Sequence, residues 1–75
     1  MQIFQRRGIA RALMIDLIAR ARADGLHAMI AVIDADNAAS IALHTQLGFD
    51  PPQILRETGT KFGRWLDIAL MRLAL

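Results

Sequence analysis

Between Gly8 and Ile33 the chain sets a helical apolar stripe, a glycine and an unbroken apolar run in direct succession. Ala10, Leu13, Met14, Leu17, Ile18 and Ala21 recur at the spacing of one wide helix face. Arg11 and Arg22 flank that face on one side, and Asp16, Arg20 and Asp24 on the other. Gly25 supplies the left-handed residue that commonly ends a helix. The spacing predicts a helix from about Gly8 to Asp24. Leu26 to Ile33 then reads as a strand, and its run from Ala28 to Ile33 is what a strand covered on both faces shows. Periodicity alone would also admit a buried helix, but the shortness and β-branched end of the run favour a strand.

Upstream, Gln5-Arg6-Arg7-Gly8-Ile9-Ala10 reads as a turn that becomes a helix N-terminus. The first amides of a helix lack internal partners and carry the positive end of its dipole, so a phosphate is their natural guest. Gly8 would let a ligand approach the backbone, and three arginines surround the mouth. One glycine among arginines is equally an ordinary solvated loop, and the pattern gains weight only from the residues downstream of it.

Asp34-Ala35-Asp36-Asn37 breaks the apolar run, and Asp36 or Asn37 can cap a second helix over Asn37–Leu47, stopped by Gly48. Ala39, Ala42, Leu43 and Leu47 are expected to be its buried side. Asn37, Ser40, Ile41 and His44 share the opposite face. Taken singly these are a cap, a surface serine and a half-exposed histidine. Pro51-Pro52 removes two ladder donors and marks an edge or bend. Gln53–Glu57 resumes as a strand, Thr58–Lys61 reads as a turn, and Phe62–Leu73 is the last strand, closing an antiparallel hairpin. Trp65 and the methionines at 14, 29 and 71 read as packing residues.

A chain of 75 residues has room for one small domain and buries only about 60% of its unfolded surface. Against that limit a hydrophobic content of 55% is high, so either the core is rich or apolar surface awaits a partner. The absence of cysteine excludes disulfides and thiolate metal sites, and no metal site is expected. No apolar stretch approaches the roughly 20 residues of a membrane span, and no signal-like block opens the sequence; a cytoplasmic location is the expectation. A helix-turn-helix nucleic-acid binder fits poorly, because a strand separates the helices and the arginines do not form one stripe.

Taken together, Gln5-x-x-Gly8-x-Ala10, then Asn37, then His44 seven residues on, then Leu47-Gly48-Phe49, closely resemble the GNAT superfamily of acyl-CoA-dependent N-acetyltransferases. Asp34–His44 and Lys61-Phe62-Gly63-Arg64-Trp65-Leu66-Asp67 are similar to its phosphinothricin and methionine sulfone or sulfoximine acetyltransferase branch. The likeness runs from about Gln5 to Leu73. It implies an α/β fold, the C-terminal half of a GNAT domain, arranged helix-strand-helix-strand-strand with a mixed sheet. The implied parts are a pyrophosphate loop and helix over 5–24, a strand over 26–33, a helix over 37–47 and a hairpin over 49–73.

The resemblance also implies acetyl-CoA as co-substrate. Gln5, Arg6, Arg7, Gly8, Ile9 and Ala10 would hold its pyrophosphate, and Asn37 and Ser40 its pantetheine arm. His44, where the superfamily often has tyrosine, would be the catalytic group that returns a proton to the departing thiolate. The acceptor would be a small-molecule amine such as phosphinothricin or methionine sulfone or sulfoximine. The family's acidic base and early strands have no counterpart in this sequence. The expectation is therefore a truncated acetyltransferase, with a non-catalytic CoA-binding remnant as the alternative. A half-sheet would leave an unpaired edge along Leu26–Ile33, so self-association or a complementing chain is expected.

Overall fold

In the computed structural model, which describes residues 3–75 and side chains from Gly8 onward, the order is helix, strand, helix, strand, strand, as expected. Helix α1 spans Ile3–Ala23, β1 Ala28–Asp34, α2 Ala38–Gln46, β2 Gln53–Lys61 and β3 Arg64–Ala74. The strands form one sheet in the order β1-β3-β2.

Both ladders are antiparallel, which corrects the expected mixed sheet. β1 and β2 do point the same way, because each opposes β3, and α2 is the crossover between them. The last strand inserts into the gap that this crossover leaves. Among the described residues no two parallel strands therefore touch.

The first helix begins earlier than the glycine. Gln5–Ala10, expected as a turn, lies inside α1. Gln, Arg, Ile and Ala all tolerate helix, and Gly8 takes no positive φ that would break it. The hairpin turn also moves. Thr58–Lys61 belongs to β2, and the reversal is made by Phe62 and Gly63, both at positive φ (51° and 73°). Two such residues match the right-handed twist of the flanking strands. The irregularity near Thr58 is a register shift between Leu55 and Gly59. There the Glu57 amide, at φ 51°, donates to the Asp67 carboxylate at 3.0 Å.

The core sits on one face of the sheet. Ile18, Ile33, Phe49, Ala69, Met71 and Leu73 form it, with Met14, Met29, Ala31, Ile41 and Leu47 packed against them. Ala69 and Met71 are wholly buried because β3 is the central strand. The alternate residues of β1 face outward: Ile30 is 56% and Val32 68% exposed. The continuous apolar run of β1 is thus covered on one face, not two, since both helices pack on the same side. Likewise only part of the α1 stripe is inward. Ile18 and Ala21 are buried and Met14 half-buried, while Leu13 and Leu17 are exposed.

Helix α2 is rotated from its expected faces, with Leu43 and Leu47 half-buried as expected and Asn37 exposed. Ala39 and Ala42 are exposed, and Ser40, Ile41 and His44 turn inward. Burying Ile41 removes more apolar area than burying either alanine, and area decides the rotation.

Candidate functional site

A groove of about 320 Å³ runs between α1, β1 and α2. Met14 and Leu17 line it from α1, Met29 through Ile33 from β1, and Ser40 and His44 from α2, with Phe49 beyond. Its walls are mostly apolar, and among the described residues its side-chain polar groups are the serine and the histidine.

The loop before α2 sets their position. The Asp34 carboxylate accepts the Asp36 amide at 2.9 Å, and the Asp34 carbonyl accepts the Asn37 amide at 2.9 Å. Asn37 then caps α2, its Oδ1 accepting the Ser40 amide at 3.1 Å. One turn on, His44 Nδ1 lies 2.7 Å from the Ser40 carbonyl oxygen. A carbonyl can only accept, so Nδ1 carries the proton and donates. In the neutral ring this leaves the lone pair on Nε2.

The stop of α2 fixes the other side of the ring. Gly48, at φ 97°, folds the chain back so that the Phe49 amide donates to the His44 carbonyl at 3.1 Å. The Phe49 ring, itself buried, meets the imidazole edge-on, with centroids 4.9 Å apart and planes at 76°. The imidazole is thereby held by a carbonyl on one side and an aromatic on another. Asn37, Ser40 and His44 were readable from helical spacing. Gly48 read as the helix stop, and the contact of Phe49 with His44 depends on the fold-back there.

The amino-terminal group is placed differently. Side chains of Gln5, Arg6 and Arg7 lie outside the described residues. A helix begun at Ile3 uses the amides from Arg7 onward on its own carbonyls, so those of Gly8, Ile9 and Ala10 are engaged. This corrects the expectation of bare donors there. Gly8 does face open space, since a Cβ built on it meets nothing within 4 Å. Ala10 stands one turn before Met14 of the groove. Arg11 reaches Gln46 of α2 at a long 3.4 Å. Arg64 and Trp65 do not line the groove, and Trp65, expected to pack, is 67% exposed. No carboxylate lines the groove among the described residues.

Residues 2–49 match the Acetyltransferase (GNAT) family. The chain belongs to the GNAT family. A GNAT relative, the L-methionine sulfoximine/L-methionine sulfone acetyltransferase of Pseudomonas aeruginosa, is 51% identical over 69 residues, which is 92% of this chain and 40% of that protein. The GNAT phosphinothricin acetyltransferase of Sinorhizobium meliloti, solved in complex with acetyl-CoA, superposes with a TM-score of 0.82 at 48% identity, over 91% of this chain and 37% of its own. The ribosomal-protein-alanine N-acetyltransferase of Brucella melitensis superposes at 0.88 with 50% identity, over 91% and 42%. This chain thus spans about two fifths of the length of the GNAT relatives it matches. Among the described residues no helix is long and apolar enough to cross a membrane.

Proposed function

We propose that this chain is the acetyl-CoA-binding part of an N-acetyltransferase for small-molecule amines. The observation that carries the reading is the groove between the two helices, with an imidazole held in one orientation at its polar end. In the reaction an amine nitrogen attacks the thioester carbonyl, the C–S bond breaks, and the thiolate takes a proton. His44, presenting Nε2, accepts a proton from the attacking amine; as the imidazolium it returns one to sulfur. Asn37 and Ser40 lie along the arm of the cofactor. Gln5 to Ala10 hold the diphosphate once the first turns of α1 open and release the amides of Gly8 to Ala10. Gly8 supports this, because its open side leaves room for the ligand.

The acceptor is an amino acid of the methionine sulfone, sulfoximine or phosphinothricin kind. The support is likeness to proteins that carry those names. A partner, either a second copy or a chain supplying the rest of the fold, completes the sheet. A non-catalytic CoA-binding remnant is the competing reading, favoured by the lack of a carboxylate in the groove among the described residues. Thiol release from acetyl-CoA in the presence of methionine sulfone, beside calorimetry with CoA, separates the two. Turnover supports the enzyme, binding without turnover supports the remnant, and no binding removes both.

A further inference from the structure

We infer that Phe49 is a positioning residue for His44: its buried ring holds the imidazole in the tautomer that keeps the proton on Nδ1 and leaves Nε2 bare for the groove. The inference deepens the reading above and rests on it, because it concerns the group that moves the proton there. Its main readout does not depend on acetyl transfer.

The imidazole has two ways to leave this state. Its outer torsion is broad and roughly two-fold, so half a turn exchanges Nδ1 for a ring carbon and breaks the bond to the Ser40 carbonyl. A shift of the proton to Nε2 is the second, and it would put a donor where the groove needs a lone pair. The 2.7 Å contact with Ser40 opposes both. That carbonyl, however, also accepts the His44 amide four residues on, as part of the α2 ladder. One shared acceptor restrains one atom of the ring.

Phe49 supplies the second hold. The two rings stand 4.9 Å apart at 76°, a T-shaped contact whose strength depends on orientation. The phenyl has no room to yield. It is 4% exposed and belongs to the core with Ile33, Ala69, Met71 and Leu73. Its backbone is tied as well: the Phe49 amide donates to the His44 carbonyl at 3.1 Å, and the next amide, of Asp50, to the Arg72 carbonyl of β3 at 2.7 Å. Gly48, at φ 97°, makes the reversal, and Pro51-Pro52 stiffen the chain beyond it. The central strand thus braces the imidazole through one side chain. Core packing alone would ask only for a large apolar residue at 49, and leucine would serve. The ring contact asks for an aromatic.

Nitrogen-15 NMR of the neutral imidazole is the test. It compares the unaltered chain with Phe49→Leu, with Phe49→Tyr, which keeps the ring, and with Ile18→Ala, a core truncation away from the groove lining. The unaltered chain should carry its proton on Nδ1. Phe49→Leu should move the tautomer ratio toward Nε2 by roughly two- to tenfold, the range one such ring pair commands. Phe49→Tyr should restore it, and Ile18→Ala should leave it unchanged while lowering the melting temperature. In the thiol-release assay Phe49→Leu should lower kcat by a similar factor and leave KM for acetyl-CoA as it was. A proton on Nε2 in the unaltered chain overturns the inference, and so does an unchanged ratio in Phe49→Leu or an equal change in Ile18→Ala. A rise in KM alone does the same, since the ring would then serve the cofactor directly. If Phe49→Leu does not fold, the tautomer of the unaltered chain and the cross-peaks between the two rings decide. A chain without turnover, or one whose His44→Ala variant keeps full turnover, counts against the acetyl-transfer reading and leaves the NMR result standing.

Discussion

At the scale of single residues, two positions carry strain or satisfaction that the fold makes visible. Asn37 closes the first turn of α2 and thereby sets the carbonyl of Ser40 that orients His44. Asn37→Ala should cost about 1 kcal/mol in urea unfolding, and Asn37→Asp, which keeps the accepting oxygen, should restore most of it. Phe62 combines a positive φ with 92% exposure, and the Lys61 ammonium stands 5.6 Å from its ring centroid. A bulky residue in that region costs roughly 1–2 kcal/mol, which asparagine largely avoids, while an exposed cation–π contact contributes about 0.5–1 kcal/mol. Phe62→Asn should therefore raise the urea midpoint, by about 0.5 kcal/mol in stability.

Among the elements, α1 is where helix formation and ligand binding compete. Its first turns contain Gly8, and a helix-interior glycine weakens a helix by roughly 0.5–1 kcal/mol relative to alanine. On the proposed reading those turns open to free their amides. Gly8→Ala should thus move two observables in opposite directions: thermal stability rises while affinity for CoA falls, the first by scanning calorimetry and the second by titration. A parallel rise of both would reject the opening of α1. Acetyl-CoA should also lower helical ellipticity in far-UV circular dichroism. The element order, the cap at Asn37 and the antiparallel hairpin were all legible in the sequence, because each rests on local chemistry: a period, a capping side chain, two prolines that bar a strand. The turn at Phe62-Gly63 was not legible, because Thr58-Gly59 offers an equally good local signal and the pairing of β2 with β3 selects between them.

For the molecule as a whole, flatness is the governing fact. The chain measures 40 × 33 × 18 Å with a radius of gyration of 13.5 Å, against about 11 Å expected of a compact body this long. One layer of helices covers one face of one sheet, and Ile30, Val32 and Leu55 remain on the other. On the proposed assembly, a second copy that completes the sheet makes the melting temperature climb with protein concentration, which differential scanning fluorimetry reads.

Residue order by itself determined which segments become helix and strand, which residues share a helix face, and the family to which the chain belongs. Those properties are short-range: a repeat of 3.6 or 2, a cap, a glycine stop. Tertiary structure alone decided which face of α2 turns inward, that β3 fills the gap between β1 and β2, and that the imidazole of His44 is clasped by Ser40 and Phe49. The reason is burial. An amphipathic element has a stripe, but the direction it faces depends on which surfaces the rest of the chain brings to meet it, and here the sheet presents only one covered side.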